Sequence, residues 1–328
     1  MEPDYKRAIR YALEEKRLWA AGLIAALAFS QAWWIVFGWG PEYLGERWER
    51  ALGDRMGDAA AFVAFVLAAL AAFVVLKALG YLGEMVLVRQ VSGGEDGDVP
   101  SVVQAFSATR HRYVPFAVTL LPWDALRIAL IYMPTVIIAL WDRWDPDLNQ
   151  VFLYLAVILL WFVLMVASDF FVGITAALAA RFSLLEGRDI GEAWREGWNL
   201  FRAHVMKCGA VWLQVLAAQV VFVMIAWPLS ALLPWVADQV ADPIGFAPVR
   251  WFIRLGAFLL LAGGLVAMQT GVQCFRSSLW TVTFLGLSGE DVDEDAYRIP
   301  LDLADDGETF QPPLTDLPGP PPGFMPPS

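Results

Sequence analysis

Long uncharged apolar runs alternate with short charged stretches along the chain up to about residue 287. Five runs stand clear, at 18–39, 59–76, 151–168, 208–237 and 255–275. A sixth, 114–141, is interrupted by Pro122, Asp124 and Arg127, but 128–141 is again free of charge. A helix needs roughly 20 apolar residues to cross hydrocarbon, where the backbone must close its own hydrogen bonds. The pattern therefore predicts an all-α polytopic membrane protein with about six transmembrane helices, paired as three hairpins.

The segments before spans one, three and five share a second pattern. The first contains Tyr5, Ala8, Ile9 and Ala12 among Lys6, Arg7 and Arg10, the second Val102, Val103 and Phe106 ahead of Arg110. In the third, Trp194, Trp198 and Phe201 recur at i, i+4, i+7, one helical face, followed by Arg202. The last two segments align without gaps, Phe106 on Trp198 and Arg110 on Arg202. Each predicts an amphipathic helix on the cytoplasmic surface, with aromatic groups in the headgroup layer and bases near phosphates. Trp194, Trp198, Arg110 and Arg202 are the interfacial candidates. The unit of surface helix, span, outer loop and span then occurs three times, the first copy matching most loosely. Two outer loops differ. Leu44, Trp48, Leu52 and Met56 predict a short outer interfacial helix, and 234–248, bounded by prolines, predicts irregular chain.

Charge sets the orientation. Lys and Arg are richer before spans one, three and five than in the opposite loops, so both termini are expected in the cytoplasm. The first apolar run is about twenty residues long and suits a retained anchor rather than a cleaved leader. Only 17% of residues are charged and 58% are hydrophobic, too apolar for a water-soluble fold. The net charge of −11 is concentrated after Ser288, where ten acids face one base, leaving 1–287 nearly neutral. Domains of 1–287 in the membrane and 288–328 as an acidic, Pro-rich, disordered cytoplasmic tail follow. Without a basic footprint, nucleic acid is not an expected partner. The expected partners are the lipid bilayer and a cytoplasmic protein reached by 288–328.

Candidate chemistry lies in polar groups within the spans, because charge in hydrocarbon costs roughly 2.5–3.5 kcal/mol at a helix centre. Lys77 and Asp169 each lie twelve residues before an arginine, Arg89 and Arg181, at the ends of spans two and four. They are equivalent positions with opposite charge, which predicts that they face inward and pair. Snorkelling to the interface, a purely structural pair, and a substrate or proton site all remain open for them. Asp124 and Arg127, at i and i+3 after Pro122, suit a local pair at a kink or a binding site. Gln214 and Gln219 in span five, and Gln269 and Gln273 in span six, suit interhelical hydrogen bonding, with Gly263, Gly264 and Gly271 permitting close approach. The two cysteines and two histidines form no metal-type cluster, and no nucleotide, zinc-protease or serine-hydrolase motif occurs. No cofactor, metal site or catalytic residue is expected.

The stretch from Gly191 to Trp198, Gly-Glu-Ala-Trp-Arg-Glu-Gly-Trp, after the Gly187-Arg188-Asp189 turn, resembles a broad group of bacterial six-span membrane proteins. That group is similar to the membrane portion attached to some glycerophosphodiester phosphodiesterases. The resemblance covers about 1–287 and implies a bacterial inner membrane and an all-helical fold. It transfers no catalytic residue, since the phosphodiesterase chemistry belongs to a separate domain. A non-enzymatic protein that organises or assists other membrane components is the expected function. Transport of a small solute or lipid is the alternative.

Overall fold

The computed structural model describes residues 4–29, 59–95, 99–141 and 148–290. The helices, in chain order, are α1 (Asp4–Glu14), α2 (Lys16–Phe29), α3 (Ala59–Glu95), α4 (Val102–Thr109) and α5 (Tyr113–Trp141). They are followed by α6 (Leu148–Ser168), α7 (Ile174–Arg181), α8 (Ile190–Ala203), α9 (Val205–Ala241) and α10 (Ala247–Glu290). A 3₁₀ turn, Arg110–Arg112, joins α4 to α5, and π turns, Asp169–Gly173 and Phe182–Glu186, bracket α7. No strand occurs among the described residues. Five helical stretches there are long and apolar enough to cross a membrane, so the chain is an all-α polytopic membrane protein. The inner part of span one is α2; its outer part, the proposed outer helix at 44–56 and the tail beyond 290 lie outside the described residues. The chain divides into a compact unit Met1–Gly289 and a second unit Glu290–Ser328.

Several spans run further than the apolar pattern indicates. Span two continues from residue 76 to Glu95, and span four passes through both π turns to Glu186. At 1.5 Å per residue α3 is about 55 Å long and α10 about 66 Å, well beyond the ~30 Å hydrocarbon layer. Their ends survive outside lipid because protein covers them. Met85, Leu87, Val88 and Val91 of α3 are fully buried, as are Leu178 and Ala179 of α7 and Leu279 of α10. The opposite holds for Leu159, Leu160, Met224, Trp227 and Leu260, which are large, apolar and exposed, as a lipid-facing surface requires. The loop expected at 234–248 is mostly helix instead. α9 passes through Pro228 and Pro234 to Ala241, because Trp235, Val236 and Val240 sustain an apolar helical surface.

The three short amphipathic helices are present as α1, α4 and α8, but they do not simply lie flat on lipid. Each presses one face onto the bundle. Ala8 and Ala12 of α1, Ala105 of α4, and Ala193, Leu200 and Phe201 of α8 are buried in the apolar clusters at the span ends. Arg7 of α1 pairs with Glu95 at the end of α3, 2.9 Å apart. The Tyr11 hydroxyl, beside the same carboxylate, is pushed up to about 12 by burial and then by Glu95. Helix α4 starts with a reciprocal cap: Ser101 accepts from the Gln104 backbone N–H, and the Gln104 side chain accepts from that of Ser101. The turn before α8 is made by Gly187 at φ 74°, a left-handed conformation that glycine adopts without strain. Arg112 clamps that turn by donating to the Gly187 carbonyl at 3.0 Å.

Close backbone approach also differs from expectation. A Cβ at Gly263, Gly264 or Gly271 would meet nothing within 4 Å among the described residues. The tight crossings lie elsewhere, at Gly22, Gly83 and Gly197. A Cβ on Gly83 would stand 2.4 Å from the backbone N of Ala25, and one on Gly197 2.8 Å from that of Ala179. Gly83 thus seats α3 on α2, and Gly197 seats α8 on α7.

Candidate functional site: a charge cluster inside the bundle

Lys77, Tyr81 and Glu84 follow the i, i+4, i+7 spacing of one α3 face. That face meets α5, α7 and α10. The Lys77 ammonium lies 3.2 Å from Asp124 Oδ2 on α5, and the Tyr81 hydroxyl donates to the same oxygen. The Asp124 side chain is 5% exposed and that of Lys77 17%, so the pair is shielded from bulk solvent. Glu84 faces Arg181 on α7 at 3.5 Å. Arg181, only 2% exposed, also donates to the carbonyls of Ala177 at 2.7 Å and Ser277 at 3.2 Å. One side chain therefore joins α3, α7 and α10. Charge-assisted hydrogen bonds of this kind are what make a buried guanidinium tolerable.

Asp169 sits where the helix of span four changes to a π turn. Its carboxylate accepts from the indole N–H of Trp212 on α9 at 2.8 Å. Gly173, ending that turn, leaves room for Trp123 of α5; a Cβ there would come within 3.2 Å of both Trp123 and Asp169. The Phe170 ring packs edge-on against Trp212, centroids 5.3 Å apart, which fixes the indole. Arg127 is half-buried and lies within electrostatic range of Asp124, Asp169 and Arg276. Glu84, Asp124, Arg181 and Arg276 converge on a cavity of ≈ 20 Å³ that Trp123 and Trp280 also line, room for about one water molecule.

The structure thus brings Lys77, Asp124, Arg127 and Asp169 into one neighbourhood but pairs them differently from expectation. Lys77 takes Asp124 rather than Asp169, and Asp169 takes Trp212. The expected local pair of Asp124 and Arg127 gives way to bonds from Lys77 and Tyr81 to Asp124. Equivalence in the repeat does not make two positions neighbours, because α5 stands against α3 and supplies the nearer acid. Tyr81, Glu84, Arg181, Trp212 and Arg276 are members that sequence reasoning missed. The apolar pattern ends span four at Arg181; the helix runs on to Glu186, which carries that arginine into the interior. Its repeat counterpart, Arg89, is exposed.

The remaining candidates divide. Arg110 and Arg202 are exposed at the ends of α4 and α8, and Trp198 remains outward at 40% exposure. Trp194 turns inward instead: its indole N–H donates to the Thr119 carbonyl on α5 at 3.1 Å. The cause is the small pair Ala193 and Gly197, which lets the α8 backbone come close enough to α7 for that reach. Gln269 and Gln273 are buried on one face of α10, and Gln214 and Gln219 are half-buried on α9. Among the described residues, interhelical bonding is not realised at Gln269, where neither side-chain polar atom has a partner, nor at Oε1 of the other three. No family model, curated protein or solved structure matches this chain.

Proposed function

We propose that the chain is a non-enzymatic integral membrane protein that organises or assists other membrane components, held in a bacterial inner membrane with both termini in the cytoplasm. The observation that supports this is how the polar groups are used. Inside the bundle, Asp124, Glu84 and Asp169 are each engaged by a side chain from another span. The cavity that Glu84 and Asp124 line takes about one water, so these charges join helices. On the outer faces of the short helices, Tyr5, Ile9, Leu13, Phe106 and Trp198 remain exposed among Arg10, Arg110 and Arg202. Such faces suit the membrane interface and partners moving along it. The resemblance to membrane modules fused to a separate domain points the same way. The acidic, Pro-rich 288–328 segment then reaches a cytoplasmic protein.

Affinity purification of the full chain should recover a protein partner that is lost on deleting 288–328. Identical partners with and without the segment would overturn its role. Transport of a small solute or lipid is the second reading. It is favoured by two π turns on the helix carrying Asp169 and Arg181, since such turns recur at functional sites. Absence of flux in proteoliposomes would count against that reading, and flux that survives alanine at Lys77, Asp124, Arg127 and Asp169 together would argue against that site.

A further inference from the structure

A second feature lies away from the charge cluster. Among the described residues α2, α3 and α4 leave a groove of ≈ 230 Å³. Ala21 and Ile24 form one wall, Leu82 and Val86 the floor, Val103 and Phe106 the other wall, and every lining side chain is apolar. The hollow has a local cause. Gly83 draws α3 onto the α2 backbone, and the small Ala21 beside it leaves space that α4 bridges without filling. Val103 is 75% exposed and Phe106 39%, so the groove opens outward.

Arg110, which caps the C-terminus of α4 and opens the 3₁₀ turn, follows Val103 and Phe106 by seven and four positions and is exposed. Arg17 stands one turn before Ala21 on the α2 face that lines the groove. It is held there by a 2.7 Å bond to the Val99 carbonyl, just ahead of α4. An α-helix with its side chains is about 10 Å across, too thick for this volume, whereas a hydrocarbon chain is slim enough. An apolar slot with an exposed arginine at the end of the helix that walls it matches a molecule with an oily chain and an anionic head.

The geometry points to a bound anionic phospholipid: an acyl chain lies in the groove between α2, α3 and α4, and its phosphate is taken by Arg110. This goes beyond the organising role and stands whether or not 288–328 recruits a protein.

Native mass spectrometry of the full-length protein tests it, after exchange into detergent with phosphatidylglycerol or phosphatidylcholine. The wild type should retain one phosphatidylglycerol in preference to phosphatidylcholine. Arg110→Gln should lower that preference about fivefold, the equivalent of roughly 1 kcal/mol per base at a charged membrane surface. Val103→Trp, at an exposed position that leaves the fold intact, should fill the slot and reduce retention of both lipids. Arg195→Gln on the exposed face of α8 should change nothing. Equal retention of the two lipids by the wild type overturns the proposal. So does wild-type retention by both groove variants, or a Val103→Trp effect confined to self-association or to loss of a copurifying polypeptide.

Discussion

Replacing Asp124 by Asn keeps the size of the side chain and an oxygen for the Tyr81 hydroxyl, but it strips Lys77 of its counter-charge. The Lys77 side chain is 17% exposed and its ammonium lies 3.2 Å from the lost charge, so water does little to replace it. Breaking a buried ion pair from one side typically costs 3–5 kcal/mol. The partial exposure of Lys77 and the retained Tyr81 bond place the expected loss near the lower end, about 3 kcal/mol. That is a change of roughly 150-fold in the folded-to-unfolded ratio, since 1.4 kcal/mol is a factor of ten. Removing both charges, as Lys77→Met with Asp124→Leu, should recover most of it, because a matched apolar pair is often as stable as the buried ions. The assay is reversible unfolding in lipid or mixed micelles across the four-member cycle of wild type, Lys77→Met, Asp124→Leu and the double, with Asp124→Asn measured beside it. A lock between α3 and α5 requires the double variant to be more stable than the sum of the singles by at least ~2 kcal/mol. Additive singles would refute the idea that these charges hold the spans together.

Gly197→Ala should destabilise by about 1–3 kcal/mol, since its Cβ would meet the backbone of Ala179 at 2.8 Å and of Thr175 at 3.0 Å. Gly263→Ala, with nothing within 4 Å among the described residues, should be neutral or slightly stabilising; the same unfolding assay compares the two, and equal effects would remove the proposed α7–α8 crossing. Trp212→Phe keeps the ring against Phe170 but deletes the donor to Asp169, with an expected loss of about 1–3 kcal/mol that Asp169→Asn in the same chain should reduce. Cys208 and Cys274 are both fully buried, so neither should react with a maleimide until the protein is unfolded in SDS; rapid labelling of Cys274 in mild detergent would contradict the packing of α10 on α2, where its thiol meets the Leu18 carbonyl at 3.6 Å. Reporter fusions at residue 1 and residue 328 should both report the cytoplasm, and opposite sides would overturn the topology.

Much of the architecture was legible in the chain because lipid makes secondary structure a local matter. A backbone in hydrocarbon has no partner but itself, so the runs at 114–141, 151–168 and 208–237 had to be helices within spans, and they are. The short helices announced themselves in the same way, through the spacing of Trp194, Trp198 and Phe201. Where those helices end, and what their polar residues touch, was decided by neighbours distant in sequence. Span four continues past Arg181 because α3 and α10 supply Glu84 and the Ser277 carbonyl, and no local pattern reveals a partner 97 residues away. Lys77 met Asp124 rather than its repeat counterpart for the same reason: Coulomb attraction falls with distance in space, whereas the repeat records only distance along the chain. Glycine shows the division at its sharpest. Gly197 and Gly263 are alike in sequence, each within a helix, and only the proximity of another backbone makes one indispensable and leaves the other open.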